Sequence, residues 1–389
     1  MKNRRKLLLI TIILIGLVCI LSILLTILGY NYLSKDDEPT EDVQTEQESD
    51  DNEDGDDLGS FEMTPEDCFP QEKWDPDEKV CYIECDSEEE CERIEKEILD
   101  QLGEIGDDYF EGDEDYQNFD TEEETTLITY KVVGDSIQEP SSGSVSEDLK
   151  NLQEDTSKHN EIWTLFATII PSQFREDIVK FEISTDGKEG ALAGVYQDEG
   201  DLRDWVLVID IVDAYDGDSL VKDDLIFSLV HEYGHVLTLN SSQVTPNTRL
   251  LEAPSDEEAE NVYEQEQKKC EPSYFTQEGC TFYNSYLNQF FQKFWDSIFD
   301  EWQQIEQIEN EDEYYEAFDT FYQKYQEHFV TDYAATNPEE DIAESWTYFV
   351  LKDKPTGNSV SDQKVNFFYN FDELVRLRDV MKVRIYSVK

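Results

Sequence analysis

Residues 225–240 read LIFSLVHEYGHVLTLN, and the two histidines four apart, with a glutamate after the first, constrain the fold more than any other stretch. On a helix, positions i and i+4 share a face, so His231 and His235 can turn two imidazoles towards one ion. Zinc takes nitrogen ligands at about 2.0–2.1 Å and, in catalytic sites, keeps one position for water. Glu232, one step round from the first imidazole, is placed to take a proton from that water. Leu225, Leu229 and Val236 fall on an apolar side of the same helix, and Asp223 or Asp224 is expected to cap its start. Two imidazoles do not complete such a site, so the fold must bring a third protein ligand from elsewhere. The plain alternative is a packed helix that carries two histidines by coincidence, which a chain with only four histidines makes rare.

The identity of the third ligand separates the subclasses. A metzincin pattern needs Gly at 238 and His at 241, where this chain has Thr238 and Ser241. It also lacks a downstream G-T-x-D-x-x-Y-G stretch. Residues 332–350 instead read DYAATNPEEDIAESWTYFV. Asn337 and Pro338 have the character of an N-cap and first helical residue. Glu340 and Glu344 then share a face, with Ile342, Ala343, Trp346 and Phe349 packing inward. Glu340 is the expected third ligand, and Glu344 the outer acceptor that orients a ligating imidazole. Asn337 with Glu340 at its third position also reads as a capping box, which would leave Glu340 a purely local role.

HEYGH with a downstream E-x-x-x-E helix resembles the gluzincins, whose thermolysin branch pairs H-E-x-x-H with E-x-x-x-D. The chain is more closely similar to lethal-factor-type metallopeptidases, which have an aromatic–Gly pair inside the motif and a tyrosine seven residues before the ligand glutamate. Tyr233, Gly234 and Tyr333 stand at those places. The resemblance implies a zincin-like domain with one zinc ion, and a Tyr333 hydroxyl that steadies the oxyanion formed during peptide hydrolysis. It covers about residues 150–389, and only the two short motifs are specific. The chain departs from the family in its N-terminal apolar segment, its cysteine cluster and the 270–280 loop.

That apolar segment sets the expected compartment. MKNRRK, residues 1–6, carries four basic residues, and Leu7 to Gly29 run for 23 residues without a charge. As a helix this run is about 34 Å long, enough for a hydrocarbon core of about 30 Å. The basic flank should stay cytoplasmic, which places the C-terminal part outside. A cleaved signal peptide is the rival, but those apolar regions run about 7–15 residues and end in small residues. Residues 30–62 read as an acidic tether: 36–57 hold thirteen acids and no base. Residues 63–122 form a cysteine-cluster and acidic segment, and 123–389 the main domain. Six cysteines in an exported part, Cys68, Cys81, Cys85, Cys91, Cys270 and Cys280, suggest disulfides. Two bridges of open connectivity are expected within the first four, and one between the last two. A zinc site in the first cluster is the alternative, though it lacks paired C-x-x-C hooks.

Ninety-three acids against thirty bases give a formal charge of −63, which disfavours binding to nucleic acid or to anionic lipid headgroups. With 21 Tyr, 21 Phe and 6 Trp the chain can still build a core. The pattern is a helix over 146–170, strands over 125–133, 178–185, 191–197 and 205–212, the histidine helix, and an aromatic helical lobe after 280, with a final helix over 364–381. A shorter helix is expected over 87–102, and a Ser/Gly-rich break at EPSSGSVS. The fold class is α+β with a small, mostly antiparallel sheet. His159 and His328 read as solvated or hydrogen-bonded side chains. The functional expectation is a membrane-anchored extracellular zinc endopeptidase acting on peptide or protein substrates. Its rivals are a surface binding or adhesion module with a structural or vestigial zinc site, and a cell-wall peptide amidase.

Overall fold

The computed structural model of the chain describes residues 65, 68, 72–76, 80–83, 85 and 87–106, then 124–389 apart from 188, 189, 252 and 309. The basic flank 1–6, the apolar run 7–29, the acidic stretch 30–62 and residues 107–123 lie outside the described residues. Among the described residues, no helix is long and apolar enough to cross a membrane.

The fold is mixed α+β, with a small sheet and many helices. It opens with an antiparallel hairpin of β1 (Glu72–Asp75) and β2 (Val80–Ile83), followed by α1 (Glu88–Gly103). Ser87 caps α1 by accepting the amide of Glu90. Cys85 and Cys91 are paired at disulfide distance across this cap, Cys68 is also disulfide-bonded, and Cys81 lies in β2. The bridge pairs two of the four clustered cysteines, which does not fit a four-cysteine zinc site.

The main sheet comprises β3 (Thr125–Val133), β4 (Ser136–Ser141), β5 (Ile178–Thr185), β6 (Ala193–Asp198) and β7 (Asp201–Asp210), in the order β4-β3-β5-β7-β6. Only β5 and β7 run parallel. The β-branched run of β7 is buried from Trp205 to Ile209, as a strand covered on both faces requires. β4 runs into the stretch that composition assigns to a break, sharing residues 139–141 with it. Gly134, at φ 55, supplies the left-handed turn into it, and as a mostly exposed edge strand it accommodates Pro140 and serines.

The long helix expected over 146–170 is divided. A short piece, Lys150–Glu154, ends at Asp155, whose carboxylate accepts the Lys158 amide and starts α2 (Thr156–Ile169). α2 lays Trp163 on Phe181 of β5, with ring centroids 5.4 Å apart. His159 is buried and satisfied on both nitrogens, by the Tyr130 hydroxyl and by the Leu152 carbonyl, each at 2.8 Å.

The histidine helix, α3 (Lys222–Leu239), starts at Val221 without a side-chain cap. Asp223 and Asp224 sit in its first turn instead, where they face the positive end of the helix dipole. Next come β8 (Val244–Pro246), α4 (Asp256–Cys270) and β9 (Gly279–Thr281), with β8 paired to β9 and Cys270 bonded to Cys280 as expected.

The helical lobe holds α5 (Tyr286–Phe294), α6 (Phe299–Glu306), α7 (Glu311–Lys324), α8 (Pro338–Leu351), α9 (Val360–Val365) and α10 (Asp372–Val388). Edge-to-face ring contacts such as Phe290–Phe294, Phe290–Phe367 and Trp295–Trp302 knit it together. A 3-10 turn at Phe368–Asn370 divides the closing segment, so α10 begins well after residue 364.

α1 is part of this core. Ile98, Leu102 and Ile105 are buried with the sheet and lobe residues in one cluster. Lys352 Nζ donates to the carbonyls of Gly103 (2.6 Å) and Ile105 (2.8 Å), satisfying acceptors at the helix C-terminus. Leu102→Ala is therefore expected to destabilise the whole chain by about 2–5 kcal/mol in urea unfolding, with one transition retained. A loss below about 0.5 kcal/mol would detach α1 from the core.

Candidate metal centre

α3 is buried almost all round. From Leu225 to Leu239 only Glu232 and His235 are half-buried, so the polar pair forms a window in an otherwise enclosed helix. Leu225 and Leu229 are fully buried and Val236 nearly so, as expected for the core side. The face that carries the histidines packs on α8. A Cβ added to Gly234 would stand 3.0 Å from Trp346 Cδ1 and 3.2 Å from Ala343 Cα. Gly234 thus marks a close approach of the two helices, and its missing side chain permits it.

α8 begins as its sequence suggests. Asn337 Oδ1 accepts the Glu340 amide at 2.8 Å, and Pro338 comes next as the first helical residue. Glu340 does not spend its carboxylate on the cap. Glu340 Oε2 lies 3.0 Å from His231 Nε2 and 3.3 Å from His235 Nε2, and the two Nε2 atoms are 3.1 Å apart. One turn on, Glu344 Oε1 accepts from His231 Nδ1 at 2.9 Å. That bond sets which nitrogen of His231 turns to the centre. The structure therefore brings His231, His235, Glu340 and Glu344 together in the arrangement the two i,i+4 pairs imply.

Thr331 is a member that motif reasoning missed. Its hydroxyl donates to Glu344 Oε2 at 2.8 Å, while its oxygen accepts the Ala334 amide at 3.0 Å. It thus holds Glu344 and shapes the 3-10 turn Tyr333–Ala335. A Thr preceding a turn is the local signal that could have exposed it. Tyr333 sits half-buried with its ring 5.7 Å from that of His231, beside the cluster. His328 lies apart from the cluster, in the 3-10 turn Gln326–His328 with its ring against Tyr325.

Charge and burial oppose each other here. Burial alone would raise Glu340, but the charges of His235 and His231 and their hydrogen bonds hold its carboxyl well below the usual range. Burial pulls His231 down, and contacts with Glu340 and Glu344 outweigh it, so the imidazole stays well above its ordinary value. Glu232 is pushed up to about 7 by burial, against the lowering charges of the two histidines. The backbone amide of Val195, on the outer strand β6, acts on Glu232 weakly in the lowering direction.

The donor set fits a small divalent cation. Ligands of a tetrahedral zinc at about 2.0–2.1 Å stand about 3.3 Å from one another, close to the three separations seen. Taken as hydrogen bonds alone, the set is frustrated, because His231 Nε2 faces both a carboxylate and a second imidazole nitrogen with one proton to share. Another acidic group, Asp186, Asp210 and Asp213, has a structural explanation: Asp210 accepts the amides of Asp186, Val212 and Asp213 and so shapes the turns after β5 and β7.

Comparison of the chain with protein-family models, with curated proteins and with solved structures finds no match. The likeness to a peptidase class thus rests on the residues of this site.

Gly234→Ala is expected to push α3 and α8 apart and lower stability by about 1–3 kcal/mol in chemical denaturation. A neutral outcome would show slack at the crossing.

Proposed function

We propose that the chain is a zinc-dependent endopeptidase of the gluzincin type, most like the lethal-factor group, and that it works outside the cell from an N-terminal membrane anchor. The observation that carries this reading is the meeting of His231 Nε2, His235 Nε2 and Glu340 Oε2 within 3.0–3.3 Å, with Glu232 on the half-buried side of the helix. His231, His235 and Glu340 would hold one zinc ion, which when bound would supply Lewis acidity and lower the pKa of a water towards about 7.

The chain's own groups do the rest. Glu232 removes a proton from the attacking water and delivers it to the leaving amine. The Tyr333 hydroxyl donates to the carbonyl oxygen as that atom takes on charge. Glu344, steadied by Thr331, keeps His231 in the tautomer that directs Nε2 inward. β6 is the outer strand of the sheet, and the helix that carries Glu232 packs against it. An extended peptide added along that edge would pass beside the glutamate, which suits a peptide or protein substrate better than a compact ligand.

The site favours catalysis over a structural or vestigial metal. Structural zinc is closed by four protein ligands, whereas among the described residues three groups converge here and two of them border solvent. A cell-wall peptide amidase would use the same chemistry, and assays on peptide libraries beside cell-wall fragments separate the two.

Glu232→Gln should keep its zinc by elemental analysis yet lose about 10²–10⁴-fold in turnover. Full activity in that variant would overturn the mechanism. Tyr333→Phe is expected to lower kcat about 10²–10³-fold with KM little changed. Glu340→Ala should abolish zinc uptake; retention of a full equivalent would remove Glu340 from the ligand set.

A further inference from the structure

The residue after the third ligand is bound more tightly than a helix surface requires. Asp341 is fully buried, and so are its two partners, Lys364 of α9 and Trp295. Asp341 Oδ2 accepts from Trp295 Nε1 at 2.6 Å and from Lys364 Nζ. The ammonium also lies over the ring of Phe329, 4.2 Å from its centroid. The neighbouring residues are held as well. Tyr274 donates to Glu339 Oε2 at 3.1 Å, and Trp302 Nε1 donates to the Thr336 carbonyl at 2.8 Å.

A buried ion pair is a poor way to gain stability, because removing both charges from water costs much of what their attraction returns. Apolar residues of similar volume would fill the space about as well. What a charged, hydrogen-bonded anchor adds is a single orientation. Asp341 is one step round the helix from Glu340, so pinning it to the lobe sets the rotation of α8 about its own axis. With side chains reaching about 5–6 Å from that axis, a turn of about 20° moves a carboxylate by about 2 Å. That would take Glu340 off the imidazoles.

We propose that Asp341, clamped by Lys364 and Trp295, is a positioning residue that presents the Glu340 carboxylate to His231 and His235. The proposal rests on the metal-site reading and adds to it the device that aims the third ligand.

The decisive variant is Asp341→Leu with Lys364→Met, which removes both charges together and leaves no lone buried ion. Circular dichroism and melting temperature should stay close to those of the wild type. Zinc affinity, measured by competition with a chromogenic chelator, should fall about 10–100-fold, as for other groups that orient metal ligands. In protein stripped of metal, the ring resonances of His231 and His235 should shift, because Glu340 no longer meets them. Asp341→Asn, which keeps an acceptor for Trp295, should recover part of both signals if it folds. Unchanged zinc affinity with unchanged histidine resonances in the double variant overturns the proposal. So does a loss of affinity that only tracks a fall in melting temperature. A wild-type protein that takes up no zinc defeats the hydrolase reading, and the histidine resonances then decide the positioning role by themselves.

Discussion

Two buried helices cross where Gly234 faces Ala343 and Trp346, and the spacing there governs the whole site. Neither helix is free to drift, since α3 is enclosed on nearly every side and α8 buries Ile342, Ala343, Trp346, Phe349 and Val350. Close-packed interiors transmit small changes of volume, so one added methyl at the crossing is felt at the carboxylates. The same contact that closes the core therefore sets the reach of Glu340 and Glu344 to His231.

The chain's acidity gives this arrangement its meaning. Most of its ninety-three acids can remain in water, where mutual repulsion is screened. Those taken into the interior around α8 are each paired through at least one carboxylate oxygen. Glu344 is held by His231 and Thr331, Asp341 by Lys364 and Trp295, and Glu340 by both imidazoles. Burying a carboxylate is unfavourable unless it is paired and hydrogen-bonded. Three of them lie within two turns of one helix, each answered by residues from other segments.

Much of the local structure was legible in advance. Alternation located β5 and the run TTLITYKVV located β3, each with its observed bounds, and the Asn-Pro pair placed the start of α8. The departures have separate causes. β4 is an edge strand whose end looks like a break, because its side chains are mostly exposed and need not be apolar. The helix expected over 146–170 is split by Asp155, whose side chain competes for backbone amides. α1 has a weakly apolar sequence, and its place in the core depends on partners hundreds of residues away, among them Lys352.

The histidine pair on one helix and the glutamate pair on another arise from a rotation of about 3.6 residues per turn, a local property that sequence alone determines. Whether the pairs face each other is not local. His231 and Glu340 are 109 positions apart, and their 3.0 Å separation depends on the crossing at Gly234 and on how α8 is rotated against the lobe. Likewise Thr331 and the buried Asp341–Lys364 pair acquire their roles only once the lobe has packed. Periodicity states which side chains share a face of a helix. Only close packing of the whole chain decides what that face meets.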